Sequence, residues 1–476
     1  MTGWMSEPEG WAFRFVSGIR RCQRPPGVRK LLSHPWQGAA NALTFDGLVG
    51  ELRSLFERFP DPRTGNNTRY QMADVAASAF AIFFVQSPSF LAYPRTMQEA
   101  NGQSNAQTLF GVTELPTDNR IRTLLDGVPY THVLPMFSNI FQSLAQSGAL
   151  EPFRVLDHQV LIALDGTQYF SSSKLSCPNC SETHHRNGQV SFSHSVITPV
   201  LVAPGQPRVI ALEPEFITPQ DGTEKQDCET AAAKRWLHRY AERYRPLGAT
   251  LLGDDLYSHQ PMCELIVEQG LNFIFVCKPQ SHPTLDEWVE GLAAAGHVET
   301  VVRQRRRGKL TYTDTYRFVN EVPLRDGEDA MKVNWCELTT TRGDGKRTYH
   351  NAFATNHRLT HSNVVEVVAA GRARWKIENE NNNILKTKGY HLEHNFGHGQ
   401  QHLSSLLVTF NLLAFLFHTV LEINDEHYRA IRQALPRRQT FFDDLRALTR
   451  YWCFESWRAM LLFMMRGLKI EIIDTS

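Results

Sequence analysis

Two apolar runs in this chain stop on a carboxylate. Val160-Leu161-Ile162-Ala163-Leu164 ends at Asp165, and Leu251-Leu252-Gly253 ends at Asp254. Short apolar runs of this kind read as buried strands, and an ionised acid at the edge of a core is costly unless it is paired or holds a metal. A third acid, Glu378, lies in the amphipathic stretch Arg374-Trp375-Lys376-Ile377-Glu378. Val364, Val368, Gly371, Trp375, Glu378, Asn382 and Leu385 follow steps of three and four, which places Glu378 on the helical stripe expected to face the sheet. Three acids far apart in sequence but able to converge predict a divalent-metal site. Oxygen donors favour magnesium or manganese, and two-metal phosphoryl transfer is the chemistry that fits.

Each acid has a plainer alternative. Asp165-Gly166-Thr167 taken alone reads as a turn. Asp254 is followed by Asp255, and successive strand residues point to opposite faces, so only one of them can join Asp165; Asp254 is the choice, with Asp255 left to accept helix or loop contacts. Glu380 shares a face with Lys376, Ala373, Ala369 and Glu366, which reads as solvated, with Lys376 as an ion-pair partner. Glu378 has Arg374 available in the same way.

With 476 residues the chain exceeds the usual limit for one core. Hydrophobic content of 42% and charged content of 21% are those of a folded chain. The formal charge is +1, from 50 basic and 49 acidic residues, so any phosphate-binding surface must be local. Eight cysteines without a signal-peptide pattern point to a reducing cytosol rather than a disulfide framework. The apolar stretches 76–85 and 406–421 read as buried helices, not membrane spans: the first is too short, and the second contains Asn411 and His418.

Residues 1–44 carry Trp4, Trp11, Arg20, Arg21, Pro25 and Pro26 without periodicity and read as an irregular arm. Helical spacing dominates 45–150, read as an N-terminal helical domain for DNA binding, with Pro116-Thr117-Asp118 as a capped helix start followed by Arg120 and Arg122. Strands and helices alternate through 151–296, which predicts an α/β sheet with parallel and antiparallel parts. Residues 297–360 read as a β-rich insertion. From 361 to 476 a long helix begins near Asn363, with Glu366 completing a capping box, and further helices follow.

Asp165-Gly166-Thr167, Gly253-Asp254-Asp255-Leu256-Tyr257, and Arg374-Trp375-Lys376-Ile377-Glu378-Asn379 with Lys386 downstream resemble the three blocks of DDE insertion-sequence transposases, over roughly 45–419. The resemblance implies an RNase H-like mixed sheet flanked by helices, with Asp165, Asp254 and Glu378 as catalytic metal ligands. It further implies cleavage at the ends of a mobile element, attack of the freed 3′-hydroxyls on target DNA, a homodimer on DNA, and a cytoplasmic, nucleoid-associated protein. Two other readings stay open: a DNA-binding derivative without catalysis, and a metal-dependent DNA nuclease.

Arg303, Arg305, Arg306, Arg307 and Lys309 form the densest basic cluster, read as a DNA clamp in the insertion or else a solvated hairpin loop. Arg372, Arg374, Lys386 and Lys388 flank the glutamate as phosphate-neutralising candidates. Cys177-Pro178-Asn179-Cys180 with His184 and His194 has metal-knuckle spacing for a structural zinc, and Cys228 is a further candidate ligand. His391, His394 and His398 follow the glutamate segment as proton carriers or as backbone-satisfying loop residues.

Overall fold

The computed structural model describes residues 42–64, 69–88, 102–219 and 227–471. The expected irregular arm lies outside them, apart from its last residues. Those lead into the helix Phe45–Phe56, where Thr44 Oγ1 accepts the Gly47 N–H.

The centre of the molecule is a mixed sheet. Strands β1 (Arg154–Val155), β2 (Gln159–Ala163), β3 (Gly166–Ser172), β4 (Ser181–His184), β5 (Val190–Ile197), β6 (Val200–Val202), β7 (Ile210–Ala211) and β8 (Glu215–Ile217) precede the helix Glu229–Tyr244. Then come β9 (Thr250–Gly253), the helix Gln260–Glu268, β10 (Asn272–Val276) and the helix Pro283–Ala294. The core order is β7-β6-β2-β9-β10, with β2, β9 and β10 parallel and β6 antiparallel to both of its neighbours. This is the arrangement of an RNase H-like sheet: an antiparallel meander whose first strand is flanked on its other side by two parallel strands. β2, β9 and β10 are buried almost throughout, as parallel strands covered on both faces require.

The chain crosses out of this sheet at Asp165. Beyond it β3 and β5 pair in a second, four-stranded sheet with β4 and β8, and the Thr198 N–H closes onto the Asp165 carbonyl at 3.2 Å where the chain returns.

Four long antiparallel strands, β11 (Glu299–Arg307), β12 (Leu310–Pro323), β13 (Lys332–Arg342) and β14 (Arg347–Thr355), form the β-rich segment. They extend the core sheet, because β14 pairs with β10. The basic run is therefore the edge strand β11 and not a loop; only Gly308 and Lys309 make the turn. Alternating threonine and aromatic residues along β12 account for the extended backbone.

After β14 the expected continuous helix is broken. Val364–Arg372 is α-helical, Ala373–Trp375 tightens to 3-10, Ile377–Asn382 widens to a π-turn and Asn383–Thr387 returns to α. Asparagine side chains compete for the backbone here, as Asn379 Nδ2 does in donating to the Trp375 carbonyl at 3.1 Å. Nor does the capping box form: Glu366 instead accepts the Leu156 N–H at 2.7 Å.

The helices of the N-terminal segment share one apolar core with those of the C-terminal segment. Met72–Phe84 is buried on every side and packs on Leu403–Asn424, with Phe80 against Phe417 at 5.0 Å, while Phe56, at the end of Phe45–Phe56, meets Phe410 at 5.5 Å. Leu403–Asn424 is long and apolar enough to cross a membrane, but 89% of its apolar window is buried inside the protein. Its amino end is tied to the N-terminal helices by Asp126, whose carboxylate accepts the N–H groups of Gln400, Gln401 and Leu403.

Candidate active site

Strand register sets the first two acids side by side. Ala163 of β2 pairs with Leu252 of β9 in the parallel ladder, and Asp165 and Asp254 each follow two residues later. Both acids thus emerge at the carboxyl end of the sheet, where ligand crevices form in open α/β folds.

Asp165 is held by Asn382, whose Nδ2 donates to Oδ2 at 2.8 Å. Burial and then the neighbouring Glu229 push its carboxyl up to about 7; Arg374 opposes them, while Glu378 and Asp254 add to the rise. Asp254 accepts the Leu256 N–H at 2.9 Å on Oδ1, and Oδ2 has no partner among the described residues. Glu378 is half-exposed and ion-paired with Arg374 at 2.9 Å. The stripe that places it inward holds at Val364, Val368, Gly371, Asn382 and Leu385 but fails at Trp375 and Glu378, because the 3-10 and π turns rotate that stretch out of phase. Glu380 lies along a separate cleft with Ile384, Lys388, Glu422, Arg437 and Gln439, and Lys376 binds the Gln206 carbonyl rather than Glu380.

Glu229, which sequence reasoning missed, completes the group. It stands in the first turn of the helix Glu229–Tyr244, and its Oε1 accepts the Gly166 N–H at 3.0 Å and the Tyr257 hydroxyl at 2.7 Å. Glycine at 166 lets the Glu229 carboxylate approach the backbone, because a Cβ there would clash with Glu229 Oε2 unless that side chain moved. Glycine at 253 serves the same packing, since a Cβ would meet the Tyr257 ring at 2.9 Å. Burial, then Glu229, raise the Tyr257 phenol well above its ordinary value, so it remains a proton donor to Glu229. A signal existed in the Asp-Gly step, which announces close approach at 166, though not by which residue.

The residues fit a hard divalent cation on charge: Glu229, Glu378 and Asp254 all act on the half-buried Asp165 carboxyl, opposed by the Arg374 guanidinium. They are not drawn into a closed ligand set. Among the described residues, the side chains whose donor atoms all lie within 4.8 Å of one another are Cys177, Cys180, His194 and His398. His184 and Cys228 are exposed and do not join them, whereas His398 does.

The remaining candidates divide. Asp255 accepts the Lys278 N–H at 2.7 Å and the Ser281 hydroxyl, which makes it a loop anchor. His394 sits in a turn on the His391 carbonyl with its ring against Phe396. Lys386 pairs with Glu393 at 3.0 Å and Lys388 is exposed. Arg372 covers the Tyr349 ring at 4.4 Å. On β11, Arg303, Arg306 and Arg307 are exposed, while Arg305 is drawn back to Asp314 at 2.7 Å and lies over Tyr312.

No protein-family model matches this chain, and no curated protein does. Among solved structures the chain is similar to piggyBac transposase in a synaptic complex with hairpin DNA, at a TM-score of 0.40 and 9% sequence identity, over 92% of this chain and 86% of that one.

Proposed function

We propose that this chain is a DNA transposase of the DDE type, acting as a dimer on DNA in the cytoplasm, in association with the nucleoid. The observation that carries the reading is the level placement of Asp165 and Asp254 on adjacent parallel strands, with Glu378 close enough to act on the Asp165 carboxyl. Asp165, Asp254 and Glu378 would hold a pair of magnesium or manganese ions, which when bound lower the pKa of an attacking water or 3′-hydroxyl and neutralise the leaving oxygen. The protein's own part is positional. Asn382 orients Asp165, Gly166 and Tyr257 orient Glu229, and Arg374 holds Glu378 at the surface until phosphate competes for the guanidinium. Phosphates along the duplex would be met by Arg303, Arg306 and Arg307, with Arg372 and Lys388 nearer the glutamate.

The test is a cleavage and joining assay on the DNA ends flanking the gene, with magnesium. Asp165→Asn, Asp254→Asn and Glu378→Gln should each abolish cleavage while DNA binding survives, and Glu380→Gln should cleave normally. Full activity in any of the first three sinks the assignment. Cleavage without joining would make the chain a nuclease, and binding without either a non-catalytic derivative.

A further inference from the structure

Four side chains from three separate segments meet away from the acids. Cys177 and Cys180 lie between β3 and β4, His194 is on β5, and His398 comes from the loop ahead of Leu403–Asn424. We propose that Cys177, Cys180, His194 and His398 bind a structural zinc ion that staples the hairpin following Asp165 to the loop following the glutamate segment. This does not rest on the transposase reading.

Four of the six donor separations match a tetrahedron's edges, and all six lie within 4.8 Å. With Zn–S near 2.3 Å and Zn–N near 2.0–2.1 Å, tetrahedral ligands put two sulfurs about 3.8 Å apart and a sulfur and a nitrogen about 3.5–3.6 Å apart. The two Sγ atoms are separated by 3.8 Å; His194 Nε2 lies 3.5 Å from Cys177 Sγ and 3.4 Å from Cys180 Sγ; His398 Nε2 lies 3.7 Å from Cys180 Sγ. A disulfide would need the sulfurs at about 2.05 Å. Thiolates with imidazoles in this geometry select zinc over the oxygen-seeking ions of the acid site. Four protein ligands leave no open position, which is the mark of a structural site and not a catalytic one.

Surrounding contacts organise the donors. The Cys180 N–H binds the Cys177 carbonyl at 3.1 Å and the Cys177 N–H reaches Cys180 Sγ at 3.4 Å, so a tight turn aims both sulfurs to one side. The His194 ring stacks parallel to Tyr169 at 5.7 Å, with Nε2 turned toward both sulfurs. His398 packs on Phe170 at 4.5 Å with its Nε2 turned toward Cys180 Sγ. Between the two segments Asn179 Nδ2 also donates to the Gln401 carbonyl.

Elemental analysis of full-length protein, purified in reductant without added chelator, tests the proposal. About one zinc per chain is expected, falling to near zero in His398→Ala and Cys180→Ser and unchanged in His184→Ala and Cys228→Ser. Wild-type zinc content in His398→Ala, or its loss in His184→Ala, overturns the ligand set. Should the variants fail to fold, the wild-type chain loaded with cobalt decides: thiolate-to-cobalt charge-transfer and tetrahedral d–d bands support the site, and their absence overturns it. Failure here leaves the acid-site assay untouched.

Discussion

Asp165 and Asp254 stand level at the carboxyl ends of two neighbouring parallel strands, each two residues beyond the Ala163–Leu252 register pair. Asp165 is half-buried, and loss of water around it, then Glu229, with Glu378 and Asp254, lift its carboxyl to about 7. At pH 8 it is ionised against that resistance, at a cost on the order of 2–4 kcal/mol. In chelator at pH 8, Asp165→Asn should therefore melt higher than the wild type. Magnesium should raise the wild-type Tm and leave that of the variant nearly unmoved. A lower Tm for Asp165→Asn in chelator would mean that the crowding is not felt.

Gly166 and Glu229 are coupled through a backbone hydrogen bond and through close contact, since a Cβ at 166 would press on the Glu229 carboxylate and force it to shift. Gly166→Ala should destabilise the protein by about 1–3 kcal/mol through overpacking. In a Glu229→Ala background most of that loss should vanish, giving a coupling of about 1 kcal/mol or more in a double-mutant cycle. Additive denaturation midpoints would show that the clash relaxes elsewhere.

Local features of this fold were legible because they depend on neighbours in sequence. The apolar runs before Asp165 and Asp254 are strands, and Thr117 caps the helix Asp118–Leu125 as its spacing predicts. Features set by distant chain were not. Register between β2 and β9 is invisible in either run alone. Glu229 has no distinguishing context at a helix start. His184 is near the cysteines in sequence, but β4 is exposed there, and the nearby nitrogen comes from His398, more than two hundred residues away. The stripe through Glu378 assumed an unbroken period of 3.6, and the π-turn breaks it.

His418 gives the pH dependence a definite sign. It is fully buried, with Nε2 at 2.8 Å from the Phe84 carbonyl and Nδ1 at 2.7 Å from the Tyr428 hydroxyl. A carbonyl can only accept, so Nε2 carries the proton and Nδ1 accepts from Tyr428. Burial, with Arg438 and Arg432 nearby, pulls the ring down to about 3 against the Phe84 bond. The unfolded ring, near 6.5, binds a proton that the folded ring refuses, so this contribution is lost as pH falls from about 6.5 toward 3, by up to about 1.4 kcal/mol per pH unit. Urea denaturation of wild type and His418→Gln between pH 7 and pH 4 checks it: the wild type should lose stability faster by about one proton's slope, and parallel curves would show that His418 titrates normally.

The basic edge strand separates into residues free to meet DNA and one that is committed. Arg303, Arg306 and Arg307 are exposed, whereas Arg305 is spent on Asp314, itself buried and also bonded to Thr340. Replacing Arg303, Arg306 and Arg307 together with alanine should leave the melting temperature nearly unchanged, because exposed charges contribute little to folding. The same change should weaken DNA binding and flatten the dependence of log K on log salt by about 0.9 for each phosphate no longer neutralised. Arg305→Ala should do the reverse: it strips a partner from a buried carboxylate, so stability falls by about 1–3 kcal/mol while the salt slope holds. Binding isotherms at several salt concentrations beside thermal melts discriminate the two. An unchanged salt slope in the triple variant would remove β11 from the DNA interface.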